Sequence, residues 1–165
     1  MQENVSNQWA QVETQYQRRA DLIPNLVNTV KGYATHERET LEGVIAARSQ
    51  ATQVTVDANN LTPEAMAQYQ QAQGAVTSAL GRLLAIAESY PDLKANQNFL
   101  ELQAQLEGTE NRINVARNNF NNAAREYNTA IRRFPKNIFA GLFGFDQRPY
   151  FSAAEGADQA PSVQF

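Results

Sequence analysis

The sequence predicts an all-α fold: an elongated helical bundle of three long helices, with a short C-terminal helical segment and an irregular docked tail. Three observations carry this. Apolar residues recur every seven positions through three separate stretches. Pro63 opens the second stretch, while Pro91 and Pro135 stop the second and third. The length of 165 residues suits one domain with a core of useful size, so residues 1–165 are read as a single unit.

The first stretch runs from about residue 4 to 56. One column holds Trp9, Tyr16, Ile23, Val30, Glu37, Val44 and Ala51. Its partner holds Val12, Arg19, Leu26, Tyr33, Thr40, Ala47 and Val54. Ala20, Val27, Ala34 and Leu41 widen the stripe to the face that a bundle core requires. The sustained period argues for one helix of roughly 75–80 Å, bent at Pro24. The alternative is a full break there, with Pro24 opening a second helix.

Asp57 to Leu61 reads as a polar turn. Thr62-Pro63-Glu64 then supplies a cap, a first-turn proline and an acid for a helix over 63–89. Its columns are Met66, Gln73, Leu80, Ala87 and Tyr69, Val76, Leu83, Tyr90. Gly74 and Gly81 share a neighbouring column, and are either a place of close helix approach or merely tolerated. Tyr90-Pro91-Asp92 ends the helix. The third helix, 96–134, is capped by Asn96. Its column of Phe99, Leu106, Ile113, Phe120, Tyr127 and Phe134 faces the smaller Leu102, Thr109, Ala116, Ala123 and Ala130. The period continues through Gly108.

From 135 to 165 the period is lost. Asn137 to Leu142 has room for one or two helical turns. Phe134, Phe139, Phe143, Phe145, Tyr150, Phe151 and Phe165 stand in this last part of the chain, whereas a disordered tail is polar and poor in aromatics. The tail is therefore expected to pack on the bundle, with Phe143 and Phe145 buried. The competing reading is a patch dipping into a membrane interface. Interfacial anchors carry several basic residues, and only Lys136 and Arg148 flank the cluster.

Composition removes several function classes. A formal charge of −3 gives no electrostatic footprint for nucleic acid. Without cysteine there is no disulfide, thiolate or iron–sulfur chemistry. His36 is the single histidine, so neither a zinc-protease pair nor a di-iron Glu-x-x-His set can be assembled. No stretch approaches the roughly 20 apolar residues of a membrane helix. The sequence assigns no catalytic, cofactor-binding or metal-ligating residue and no cofactor. An enzyme with a site around His36, Glu37 and Glu110 is the remote alternative.

Charged residues inside the stripes are more informative. Arg19 and Glu37 occupy core columns, and Glu110 and Arg117 flank the core of the third helix. Unpaired charge is costly there, so pairing between helices is expected. Such pairs either fix helix register or hold a ligand or partner, and the pattern favours register.

The stretch Arg19 to Val27 with Pro24, Tyr33 with His36-Glu37, and Ala47-Arg48 resembles the LemA family. So do Tyr90-Pro91-Asp92-Leu93-Lys94-Ala95-Asn96 with Phe99, Leu102-Gln103, Leu106 and Thr109-Glu110-Asn111-Arg112-Ile113. The likeness continues through Arg117, Tyr127-Asn128, Phe134-Pro135, Phe143-Gly144-Phe145, Pro149 and Pro161 to Phe165. It spans nearly the whole chain from Trp9. The resemblance implies an all-α bundle of bacterial origin behind a single N-terminal membrane helix, and no reaction. This sequence departs from the family by lacking that helix, which is expected upstream of Met1. The function expected is a non-enzymatic, membrane-associated scaffold or interaction protein in the bacterial cell membrane, single-pass, with its domain outside the cytoplasm. The alternative is a soluble coiled-coil adaptor. Its expected partners are an unidentified protein and the membrane. Unequal helix lengths would leave Trp9, Val12 and Tyr16 uncovered, which points to self-association.

Overall fold

The computed structural model describes residues 2–57, 61–132 and 148–151. Of these, 84% are helical, and no strand occurs among them. The elements are α1 (Gln2–Lys31), α2 (Arg38–Gln53), α3 (Pro63–Ala87), the single-turn α4 (Pro91–Lys94) and α5 (Gln97–Arg132).

The long helices form an up-down-up-down bundle. Ascending residues of α1 meet descending residues of α5: Trp9 packs on Phe120, Arg19 bonds Glu110, and Thr29 bonds Asn98. α3 runs parallel to α1, with Tyr69 on Tyr16 and then Gln73 on Arg19. α2 lies against α3 and returns along α1, bringing Arg48 to Ala20.

The expected 4–56 helix is therefore a helical hairpin. The chain leaves helix at Gly32–Glu37, with Ala34 N–H bonding Val30 O at 2.8 Å and Glu37 N–H bonding Ala34 O at 3.2 Å. The turn falls where glycine, Tyr33 and Thr35 weaken helix propensity. It also removes a packing problem: α3 has 25 residues and α5 has 36, too few to cover a stripe of roughly 75–80 Å. Tyr33 and Glu37 join the far end of the bundle instead, through Asn96 Nδ2 to Tyr33 Oη at 2.8 Å and Tyr90 Oη to Glu37 at 3.1 Å.

Pro24 does not break α1. Lacking an N–H, it leaves the Ala20 carbonyl without its partner one turn back. Arg48 Nε donates to that oxygen at 2.7 Å, so the defect in α1 becomes the tie to α2. The caps fall where the residue types favour them. The Thr62 hydroxyl accepts from Ala65 N–H at 3.1 Å, and the Asn96 side chain accepts from Phe99 N–H at 2.9 Å.

Two apolar clusters fill the interior. One surrounds Ile23, Val30, Val44, Leu83 and Phe99 toward the α1–α2 turn. The other surrounds Trp9, Val12, Tyr69, Phe120 and Phe151 at the opposite end. Trp9, Val12 and Tyr16 are thus covered within the chain, contrary to the expectation of an exposed apolar surface there. α2 stops at Gln53, short of this end, and Val56, Leu61 and Phe151 close it. Gly74 and Gly81 mark no close approach, since nothing lies within 4 Å of a Cβ at either. The expected helical turns at 137–142 and the expected burial of Phe143 and Phe145 lie outside the described residues.

The Pro24–Arg48 tie has a measurable signature. Arg48→Ala orphans the Ala20 carbonyl and should cost about 1–3 kcal/mol in urea unfolding. In a Pro24→Ala background the restored amide serves that carbonyl, so the same change should cost at least about 1 kcal/mol less. Equal losses in both backgrounds would show that the carbonyl is not the link.

Candidate functional site

The polar residues of the stripes converge in a layer between the two apolar clusters. Arg19, 1% exposed, is its centre. It lies on the buried face of α1 because it continues the column of Val12 and Leu26. One terminal nitrogen donates to Glu110 of α5 at 2.9 Å and to the Thr77 hydroxyl of α3 at 2.8 Å. The other donates to the Gln73 carbonyl and side-chain oxygens, both at 2.9 Å. Its Nε is buried without a hydrogen-bond acceptor, and the guanidinium carbon lies 5.0 Å from the Tyr16 ring centre. Four bonds to the charged fork satisfy most of what burial removes. Glu110, with its side chain 38% exposed, keeps part of its hydration.

Beside this layer a cleft opens between α1, α2 and α3, lined by Glu13, Tyr16, Arg19, Arg48, Thr52 and Tyr69. Burial raises the Glu13 carboxyl above its ordinary range, and the charge of Asp57 adds to the shift. Burial also raises the Tyr16 phenol. Arg117, which hydrogen-bonds it, and Arg19 offset part of that shift. Tyr69 is raised strongly, by burial first and then by Tyr16 and Glu13.

His36 is exposed in the α1–α2 turn, and Glu37 beside it bonds Tyr90. Glu110 instead pairs with Arg19. Arg19 lies twelve residues before the end of α1, roughly 18 Å along the axis from the turn. The three residues of the enzymatic alternative are not brought together. Among the described residues, no group of three His, Asp or Glu side chains is placed to hold a metal. The bonds of the layer tie α1 to α3 and α5.

The Arg19–Glu110 pairing is the interhelical pair expected from the stripes. Glu37 and Arg117 find other partners: the Tyr90 hydroxyl, and the Phe151 ring with Tyr16. Sequence reasoning missed the role of Gln73, although a glutamine between Met66 and Leu80 in a core column marks a polar layer. It also missed Arg48, which sits outside the core columns and whose target is a main-chain oxygen. Asn121 and Asn128, a heptad apart on α5, were missed as well. They hold the chain at 148–151.

Fold and layer together define an all-α bundle protein with a polar interior seam. The chain belongs to the LemA family, whose model matches residues 8–165. It is similar to Protein LemA of Metamycoplasma hominis, 25% identical over 154 residues, 93% of this chain and 67% of that protein. It is also similar to Magnetosome protein MamQ of Magnetospirillum gryphiswaldense, 36% identical over 87 residues, and to Magnetosome protein MamQ 2 of Paramagnetospirillum magneticum, 34% identical over 87 residues. Those matches cover 53% of this chain but only 32% of each magnetosome protein, so the chain spans about a third of their length.

The buried phenols set an alkaline limit on stability. Their folded-state pKa values lie above the ordinary 10, so their contribution is complete below pH 10 and is lost as pH rises beyond it. Alkaline unfolding should therefore begin above pH 10. The double variant Tyr16→Phe/Tyr69→Phe should unfold at a higher pH, as followed by absorbance at 295 nm and circular dichroism. An unmoved midpoint would contradict the assignment.

Proposed function

We propose that this chain is the folded domain of a membrane-associated bacterial scaffold that acts by binding another protein and not by catalysis. One observation carries the reading. Several of the charged and polar residues through which the chain resembles the LemA family bond across helices. Arg19 bonds Glu110, Glu37 bonds Tyr90, Tyr33 bonds Asn96, and Arg48 bonds the carbonyl opposite Pro24. Bonds of this kind hold the helices in a fixed arrangement.

Among the described residues, no helix is long and apolar enough to cross a membrane. Attachment is assigned to a segment preceding α1, single-pass, with the bundle outside the cytoplasm. Membership of the LemA family and the likeness to proteins named for the magnetosome support membrane association; the single pass and the side are part of the proposal. The surface offered to a partner includes isolated large apolar side chains, Ile45 on α2 and Val115 on α5, both more than half exposed.

Four measurements test the reading. A C-terminal alkaline phosphatase fusion to the natural gene product should be active, and the protein should stay with membranes through an alkaline carbonate wash. An inactive fusion places the bundle inside, and release by carbonate removes the anchor. Photo-crosslinking from position 45 or 115 in cells should trap a defined protein adduct. A His36→Ala variant should leave any cellular phenotype of the gene unchanged, and loss of that phenotype would revive an enzymatic reading.

A further inference from the structure

At the open end of the bundle, α1 and α5 form a groove in which residues 148–151 lie. Asn128 presents both halves of its amide to Arg148: Oδ1 accepts from the backbone N–H at 2.6 Å, and Nδ2 donates to the carbonyl at 2.8 Å. Two turns earlier, Asn121 does the same for Phe151, accepting from its N–H at 2.8 Å and reaching its carbonyl at a longer 3.5 Å. A side-chain amide in this role offers what a neighbouring β-strand would offer. The two clamps therefore read main chain at Arg148 and Phe151, and Asn128 Nδ2 also donates to the Tyr150 hydroxyl at 3.1 Å. Side-chain recognition comes from Arg148, buried with its guanidinium 5.1 Å from the Tyr127 ring centre, from the Tyr150 hydroxyl, and from the anchor Phe151. Phe151, 6% exposed, stacks on Trp9 at 5.9 Å, meets the edge of Phe120 at 5.5 Å and lies under the Arg117 guanidinium at 4.9 Å.

We propose that this groove is an exchangeable receptor for an extended peptide ending in an aromatic anchor, and that its second occupant is the 148–151 segment of another copy of this chain. Chain length is the argument for that occupant. Asn128 lies one turn before the end of α5, roughly 6 Å along the axis, so the segment that fills the groove in cis has little distance to cover. The fifteen residues 133–147 allow a reach of up to about 50 Å when extended. That length is enough to reach a neighbouring bundle as well as its own. Every contact made in cis is available in trans, so exchange costs no interface, and its balance is set by concentration. This goes beyond the scaffold reading and does not depend on the membrane anchor.

The test mixes two full-length variants. Asn121→Ala/Asn128→Ala keeps an intact tail and lacks the clamps. Phe151→Ala keeps the clamps and lacks the anchor. Each alone should run as a monomer by native mass spectrometry and light scattering. An equimolar mixture should give a species of twice the mass whose fraction rises with concentration. A mixture that stays monomeric, with both variants folded by circular dichroism, overturns the proposal. If the double variant does not fold, the Phe151→Ala chain is titrated with a synthetic peptide of residues 147–152, and Trp9, the lone tryptophan, reports binding by fluorescence. A saturable change that the same peptide with Phe151→Ala does not produce supports the receptor. No change overturns it. A peptide that binds while wild-type chains remain monomeric at millimolar concentration overturns the second copy as occupant.

Discussion

Two adjacent residues of α1 are tied to every other long helix. Arg19 bonds α3 through Gln73 and Thr77 and α5 through Glu110, while the Ala20 carbonyl receives Arg48 from α2. Apolar stripes alone specify which faces meet but tolerate a slip along the axis, since one heptad layer resembles the next. A buried guanidinium does not tolerate it. Displacing any partner by a turn leaves charge or a carbonyl unsatisfied in the interior, at a cost of the order of 1–3 kcal/mol for each neutral group and more for the charge. The layer therefore fixes register for the two apolar clusters on either side of it.

Pro24 belongs to the same logic. Proline inside a helix costs roughly 3 kcal/mol and exposes one carbonyl. Here that carbonyl is the acceptor that locates α2. A regular helix would have no free acceptor at that point, and the returning arm of the hairpin would be held by its apolar face alone. The local defect is what makes the hairpin specific.

Much of this was legible in the sequence. The columns of α5, from Phe99 to Tyr127 and from Leu102 to Ala130, are buried throughout. Arg19 in a core column signalled an interhelical pair, and Glu110 provides it. The hairpin was not legible from period alone. Its six-residue turn preserves the phase, so Val44 and Ala51 continue the column of Ile23 and Val30 on a helix running the other way. Gly32 and the charged Glu37 at a core position were the available signals, outweighed by an unbroken repeat. The asparagine clamps were hidden for another reason. Asn121 and Asn128 bind main chain at Phe151 and Arg148, and a main-chain target leaves no complementary residue to find.

The central claim is that Arg19 holds α1, α3 and α5 in register. It is tested most directly by equilibrium urea unfolding of Arg19→Met, which keeps the buried stem and removes only the donors. Leaving the buried Gln73 and Thr77 oxygens without their donor predicts a fall of about 2–4 kcal/mol, with a weaker dependence on urea as the native packing loosens. A variant within about 1 kcal/mol of the parent, unfolding as sharply, would show that the apolar stripes suffice and that the account is wrong.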